Sequence, residues 1–149
     1  MGLFDTIVKY FKADDWNFQQ LEGKTILRMG FQAESGSWQC VAQAIEDDQR
    51  FMFYSILQTN VPADKRQAIA EFITRANYGL RIGNFEMDFS DGEVRYKTSI
   101  DVEGGKLSEK MWKNMVYLNL LMMDKYLPGI MSVVYAGSSP EQAITEVEG

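Results

Sequence analysis

Few residues in this chain could do chemistry. It has no histidine, one cysteine at Cys40, and three short groupings of carboxylates: Glu46-Asp47-Asp48, Glu86 with Asp88, and Asp101 with Glu103. Glu86 and Asp88 are two apart, so on a strand both face the same side, as a general acid and base must. The strand that would oppose them offers Arg95 and Lys97, and charge pairing accounts for all four without catalysis. Glu46-Asp47-Asp48 gathers oxygens as a calcium site does, but lacks the spaced ligands and the glycine of a binding loop. Asp101 and Glu103 border Gly104-Gly105 and read as solvated. The lack of histidine removes the commonest general base and metal ligand, and a single cysteine cannot build a thiolate zinc site. Cys40 has no imidazole to activate it. Gly79-x-x-x-Gly83 follows a helix and precedes a strand, whereas a phosphate cradle opens a helix. These residues point to no catalytic centre, no cofactor and no metal.

The elements that position them follow from the hydrophobic period. Leu3, Phe4, Ile7, Val8 and Phe11 form a helical stripe ending near Asp14-Asp15. Residues 16–21 read as extended. Leu27, Met29, Phe31 and Ala33, then Trp38, Cys40, Ala42 and Ala44, then Phe51, Phe53, Ser55 and Leu57 alternate as three strands of a meander with one inner face. A turn at Ser35-Gly36 would pair Phe31 with Cys40 and Met29 with Ala42, and a two-residue turn at Asp47-Asp48 continues the face. Cys40 is expected to be buried and inert. The outer side of the third strand, Met52, Tyr54 and Ile56, is apolar for a solvated surface. That marks either a covered central strand or a contact patch.

After Pro62, Ile69, Phe72, Ile73, Ala76 and Leu80 set a second helical stripe, with Glu71 and Arg75 spaced for an ion pair and Gly79 suited to ending the helix. Asp91-Gly92 signals a type I′ hairpin. Folded about it, Met87 opposes Tyr96, Asp88 opposes Arg95, and one face gathers Phe85, Met87, Phe89, Val94, Tyr96 and Ile100. Ser108 is an N-cap for a third helix over 109–127, stopped by Pro128-Gly129. Its apolar residues form two stripes, one of them Trp112, Val116, Leu120, Met123 and Leu127, which together cover roughly half the circumference. A helix packed on one sheet uses a narrower arc. The second stripe is therefore expected to meet a partner or a second copy of the chain, unless the first helix or residues 130–135 cover it. Ser139-Pro140-Glu141-Gln142 is a capping box with proline at N1, opening a short tail helix.

The expectation is one domain over 1–149, α+β in class. It is a two-layer sandwich of a five-stranded antiparallel sheet and helices, in the order helix, three strands, helix, two strands, helix. With 46% hydrophobic and 24% charged residues the composition is globular. A net charge of −6 argues against a nucleic-acid surface or binding to anionic lipid. No apolar run approaches the ~18–20 residues that span a bilayer, and the start lacks the pattern of a signal peptide. Met1-Gly2-Leu3-Phe4-Asp5-Thr6 fits the myristoylation pattern but reads as an ordinary helix start. A cytoplasmic location fits the single cysteine.

The stretch RANYGLRIGNFEMDFSDGEVRYKTSID resembles the signature of the YbjN family, bacterial proteins described as sensory transduction regulators. The matching residues are Asn77, Gly79, Leu80, Ile82, Gly83, Phe85, Asp88, Asp91 and Gly92. The resemblance extends to WQCVAQAIED upstream and VVYAGSSPEQAITEVE downstream and is nearest the cyanobacterial branch. It implies a fold like that of type III secretion chaperones and carries no catalytic residue. The expected function is a non-enzymatic protein-binding, chaperone-like or regulatory module. Trp112, Val116, Leu120, Met123 and Leu127, with Met52, Tyr54 and Ile56, are the candidate surface. The alternative is a small-ligand binder or enzyme using Tyr, Asp or Glu in a pocket under the sheet.

Overall fold

Alternation builds the sheet. Leu27 and Met29 of β2 (Ile26–Gln32), Trp38, Cys40, Ala42 and Ala44 of β3 (Ser37–Ile45), and Phe51, Phe53 and Ser55 of β4 (Arg50–Ile56) share one buried face. β5 (Asn84–Met87) and β6 (Val94–Asp101) add Phe85, Val94, Tyr96 and Thr98. The computed structural model, which describes residues 1–149, adds a two-residue edge strand β1 (Gln19–Gln20) within the segment read as extended. The sheet therefore has six strands, not five, in the order β1-β2-β3-β4-β6-β5, with every pair antiparallel.

Three helices cover that face, α1 (Leu3–Ala13), α2 (Arg66–Asn77) and α3 (Glu109–Tyr135), and a fourth, α4 (Pro140–Glu148), lies outside them. Phe11 of α1 stacks on Phe53 at 6.1 Å between ring centres. The Thr98 hydroxyl donates to the Met115 carbonyl of α3 at 2.8 Å. Asn119 of α3 is fully buried, and its amide nitrogen reaches the Phe53 and Tyr96 carbonyls at 2.8 and 3.0 Å. α4 packs on α2 and α3. Ser108 and Ser139 cap α3 and α4 as expected, the latter in a full capping box. The opposite face of the sheet carries no helix.

The phase of every strand agrees with the alternation, while two turns do not fall where expected. The β2–β3 turn centres on Glu34-Ser35, closed by Ala33 N–H donating to Gly36 C=O at 2.8 Å, so Phe31 pairs with Trp38 and Met29 with Cys40. The β5–β6 connection is a four-residue loop, Phe89 to Gly92, closed by Asp88 N–H on Glu93 C=O and Gly92 N–H on Asp88 C=O. Only Gly92 has positive φ there, so the turn is not type I′. Met87 pairs with Val94, and Phe89 leaves the inner face to stand exposed. The reason is tertiary: a Cβ on Gly92 would lie 2.2 Å from the Val61 carbonyl oxygen, so the loop folds onto the β4–α2 connection.

Pro128-Gly129 does not stop the third helix, which runs on to Tyr135 with the proline inside it. A proline mid-helix leaves the carbonyl four residues earlier without its donor. That carbonyl belongs to Asp124, and the Ser35 hydroxyl sits 2.9 Å from it. Gly129 lets α2 come close, since a Cβ there would meet Phe72 Cζ at 2.6 Å. The first helix likewise takes its N-cap from outside. The Glu46 carboxylate in the β3–β4 turn accepts from the peptide N–H groups of Leu3 at 3.2 Å and Phe4 at 2.9 Å.

Candidate functional site

Each grouping of potential chemistry has a structural occupation. Glu86 accepts from Arg95 at 2.8 Å and from Lys97 at 3.0 Å. Burial opposes ionisation of Glu86, but the hydrogen bonds from Lys97 and Arg95 outweigh it and hold its pKa below the usual value. Asp88 lines one hollow with Glu86, Glu93 and Arg95, but its carboxylate is committed within its own loop. It accepts from the Ser90 hydroxyl at 2.6 Å and from its peptide N–H at 2.9 Å, and those bonds lower its pKa. Glu46 caps α1. Burial pushes the Cys40 thiol up to about 12. Burial likewise raises Tyr96 to about 12, and burial with the bond to Glu148 raises Tyr126. Each of these shifts carries its group away from neutral pH, the opposite of what a general base needs. A cleft of about 420 Å3 between α1 and the β6–α3 loop is lined by Lys9, Tyr10 and Lys106. The Tyr10 hydroxyl is committed to the Leu107 carbonyl at 2.8 Å.

The stripe on α3 that was expected to face a partner lies inside the chain. Trp112, Val116, Leu120, Met123 and Leu127 are all buried, between 0% and 5% exposed. Phe11 of α1 meets Trp112 edge-on at 4.9 Å, and α3 itself continues through residues 130–135, where Ile130 and Val133 are buried as well. An interface on those five residues would require opening the core.

Met52, Tyr54 and Ile56 are different. They lie on the helix-free face of the central strand β4, joined by Val41, which pairs with Tyr54 from β3. Met52, Ile56 and Val41 are half-buried, and Tyr54 is buried to 7% although no helix covers it. The cover is a side-chain ladder: the Arg95 guanidinium lies 4.3 Å over the Tyr54 ring, and Glu86 holds Arg95 in place. The Tyr54 hydroxyl reaches the Met52 sulfur at 3.7 Å. The strip is flanked by Gln39 and Gln43 on β3 and by Arg95 and Lys97 on β6. Towards the sheet edge Gly30, opposite Gln39, leaves a hollow beside Arg28. Period-2 reading found the strip, but it missed Arg95 over Tyr54, because a diagonal cross-strand contact depends on register.

The residues quoted for the family signature hold the backbone rather than a ligand. Asn77 ends α2 and reaches β5, accepting from Phe85 N–H at 2.7 Å and donating to its carbonyl at 3.1 Å. Phe85 is buried edge-on to Tyr96 and Tyr126. Gly79 takes φ of +96° just past the helix. A Cβ on Gly83 would strike the Lys97 carbonyl at 2.7 Å. Asp91 accepts from Glu93 N–H at 2.9 Å within the loop that Gly92 closes.

No helix is long and apolar enough to cross a membrane. No curated protein matches the sequence. Among solved structures the chain is similar to the "Crystal structure of YbjN, a putative transcription regulator from E. coli", at 11% identity and a TM-score of 0.62, with 88% of this chain and 87% of that one covered. At that identity the likeness shows the fold. The family model for YbjN, "Putative bacterial sensory transduction regulator", matches residues 4–143. A match running nearly from end to end, on a fold shared with a solved YbjN, means that the chain belongs to the YbjN family.

Proposed function

We propose that the chain is a non-catalytic, regulatory protein-binding module of the cytoplasm whose recognition surface is the helix-free face of the sheet. The observation that carries this reading is the strip of Val41, Met52, Tyr54 and Ile56, apolar at the centre of a face that no helix covers. Arg95 and Glu86 fix the Tyr54 ring before any partner arrives, which lowers the ordering cost of binding. The face carries Arg28, Arg50, Arg95 and Lys97 against Glu86, Asp101 and, beside Arg95 at the β5–β6 end, Asp88 and Glu93, so its charges balance on a chain of net charge −6. A partner segment with an apolar stretch flanked by charges of both signs is complementary to it. The E. coli protein of similar fold is described as "a putative transcription regulator". A face of balanced charge lacks the basic footprint that direct contact with nucleic acid requires, so a regulatory role here would run through protein contacts.

The test places a photocrosslinking residue at Ile56, on this face, or at Leu121, an exposed position on α3, in the intact chain within the native cell. The expected result is a discrete protein adduct at Ile56 that is absent at Leu121 and is lost when Tyr54→Asp is added to a chain that still folds. Equal adducts at both positions, nucleic-acid adducts, or none at Ile56 would overturn the reading.

A further inference from the structure

The hollow at the β1 end of the helix-free face has a volume of about 270 Å3. Arg28, Asn17, Gln19 and Gln39 line it around Gly30, which contributes no side chain. Arg28 is exposed and forms no ion pair within the chain. The three carboxamides have no hydrogen-bond partner in the chain either, and each offers both a donor and an acceptor.

The backbone adds a second feature. Antiparallel ladders alternate hydrogen-bonded and non-hydrogen-bonded pairs. Ala33 N–H donates to Gly36 C=O and Ala44 N–H to Thr25 C=O, which fixes the alternation between β2 and β3. In that frame Gly30 and Gln39 form a non-hydrogen-bonded pair, so the N–H and C=O of Gly30 point away from β3 towards the sheet edge. β1 pairs only with Leu27 and Arg28, so it leaves both groups of Gly30 unmatched. A guanidinium selects a carboxylate, in two parallel bonds where it can. A free N–H and C=O on an extended residue select a peptide group, as in strand addition. A side-chain carboxylate would use the first feature and not the second.

We propose that this hollow is a subsite for the C-terminal residue of a partner polypeptide, with its carboxylate on Arg28 and its last peptide group on Gly30. The inference rests on the helix-free face being a protein-binding surface and names the chemistry at one end of it. The carboxamides of Asn17, Gln19 and Gln39 serve whichever donors and acceptors of the terminal residue remain.

The experiment is an amide NMR titration of the full chain with N-acetyl-Ala-Ala as the free acid, with the same dipeptide as its C-terminal amide, and with acetate. The expected result is a saturable shift of the Gly30 amide with the acid, binding at least about tenfold weaker for the amide and for acetate, a loss of about one charge-assisted contact. The response is lost in Arg28→Gln, an exposed position whose remaining spectrum reports an intact fold. Equal responses to acid and amide, an equal response to acetate, persistence in Arg28→Gln, or silence at Gly30 would each overturn the proposal. A silent Gly30 with the Ile56 adduct still formed sinks the subsite and leaves the binding module standing. A Gly30 response without any Ile56 adduct overturns the module reading alone.

Discussion

Ser35 stands beside the Asp124 carbonyl that Pro128 leaves without its helical donor, its one hydroxyl hydrogen within reach of both that carbonyl and the Asp124 carboxylate. The Ser35 hydroxyl lies 2.9 Å from the Asp124 carbonyl and 2.5 Å from its carboxylate, and the Ser35 peptide N–H donates to that carboxylate at 2.8 Å. A turn between two strands thus sits where one rung of a helix is missing. Ser35→Ala is expected to cost about 1 kcal/mol, read as a fall in the urea midpoint. In a Pro128→Ala background the alanine N–H restores the rung, and the same substitution should cost measurably less. Equal costs in both backgrounds would show that the two residues are not linked.

Gly129→Ala pits two effects of known size against each other. Alanine favours the helix by about 1 kcal/mol, but its Cβ would meet Phe72 Cζ at 2.6 Å and Val147 Cγ1 at 3.1 Å. Overpacking of a filled core costs about 1–3 kcal/mol. The expected outcome is a lower melting temperature; a rise would mean that α2 and α4 yield freely at this contact.

Glu86 sets a pH dependence whose sign is fixed. Its folded pKa lies below the unfolded value of about 4.3, so the ionised carboxylate contributes stability at neutral pH. That contribution is lost as pH falls through the folded value. Urea midpoints of the native chain should therefore drop between about pH 5 and 3 more steeply than those of Glu86→Gln. Parallel curves for the two proteins would remove Glu86 from the account.

Cys40 is fully buried, with its thiol raised to about 12 by burial and a contact of 3.7 Å to the Ser55 hydroxyl. Labelling by a thiol reagent at pH 8 should follow the rate of unfolding and accelerate with urea. Rapid labelling of the native chain would contradict the placement of β3.

The burial of Trp38, Cys40, Ala42 and Ala44 was legible in the sequence, because a two-residue period survives any error in turn position. The pairing of Phe31 with Trp38 was not. It depends on Glu34-Ser35 forming the turn, which the distant Asp124 anchors. The same limit applied to α3, where Pro128 reads as a stop until Ser35 is seen beside it. Of the candidate surface, Met52, Tyr54 and Ile56 were legible as an apolar outer strip. What covers Trp112 and Val116, a partner or the first helix, was not legible, because a stripe of helical period does not say what lies opposite. The rest of the helix-free face, Arg95 above Tyr54 and the hollow at Gly30, exists only once the strands are in register.

Asn77 guards one edge of the sheet. By bonding both the N–H and the C=O of Phe85, it plugs the four-residue edge strand β5 with a side chain that imitates a neighbour. At the far end Trp16 stacks on Phe31 at 5.7 Å, and Asn17 and Phe18 lie beside Gly30, so the chain's own segment runs along β2 beyond the two-residue β1. Each edge strand thus has a guard drawn from its own chain, which shortens the row of backbone groups that a second copy could use as a template.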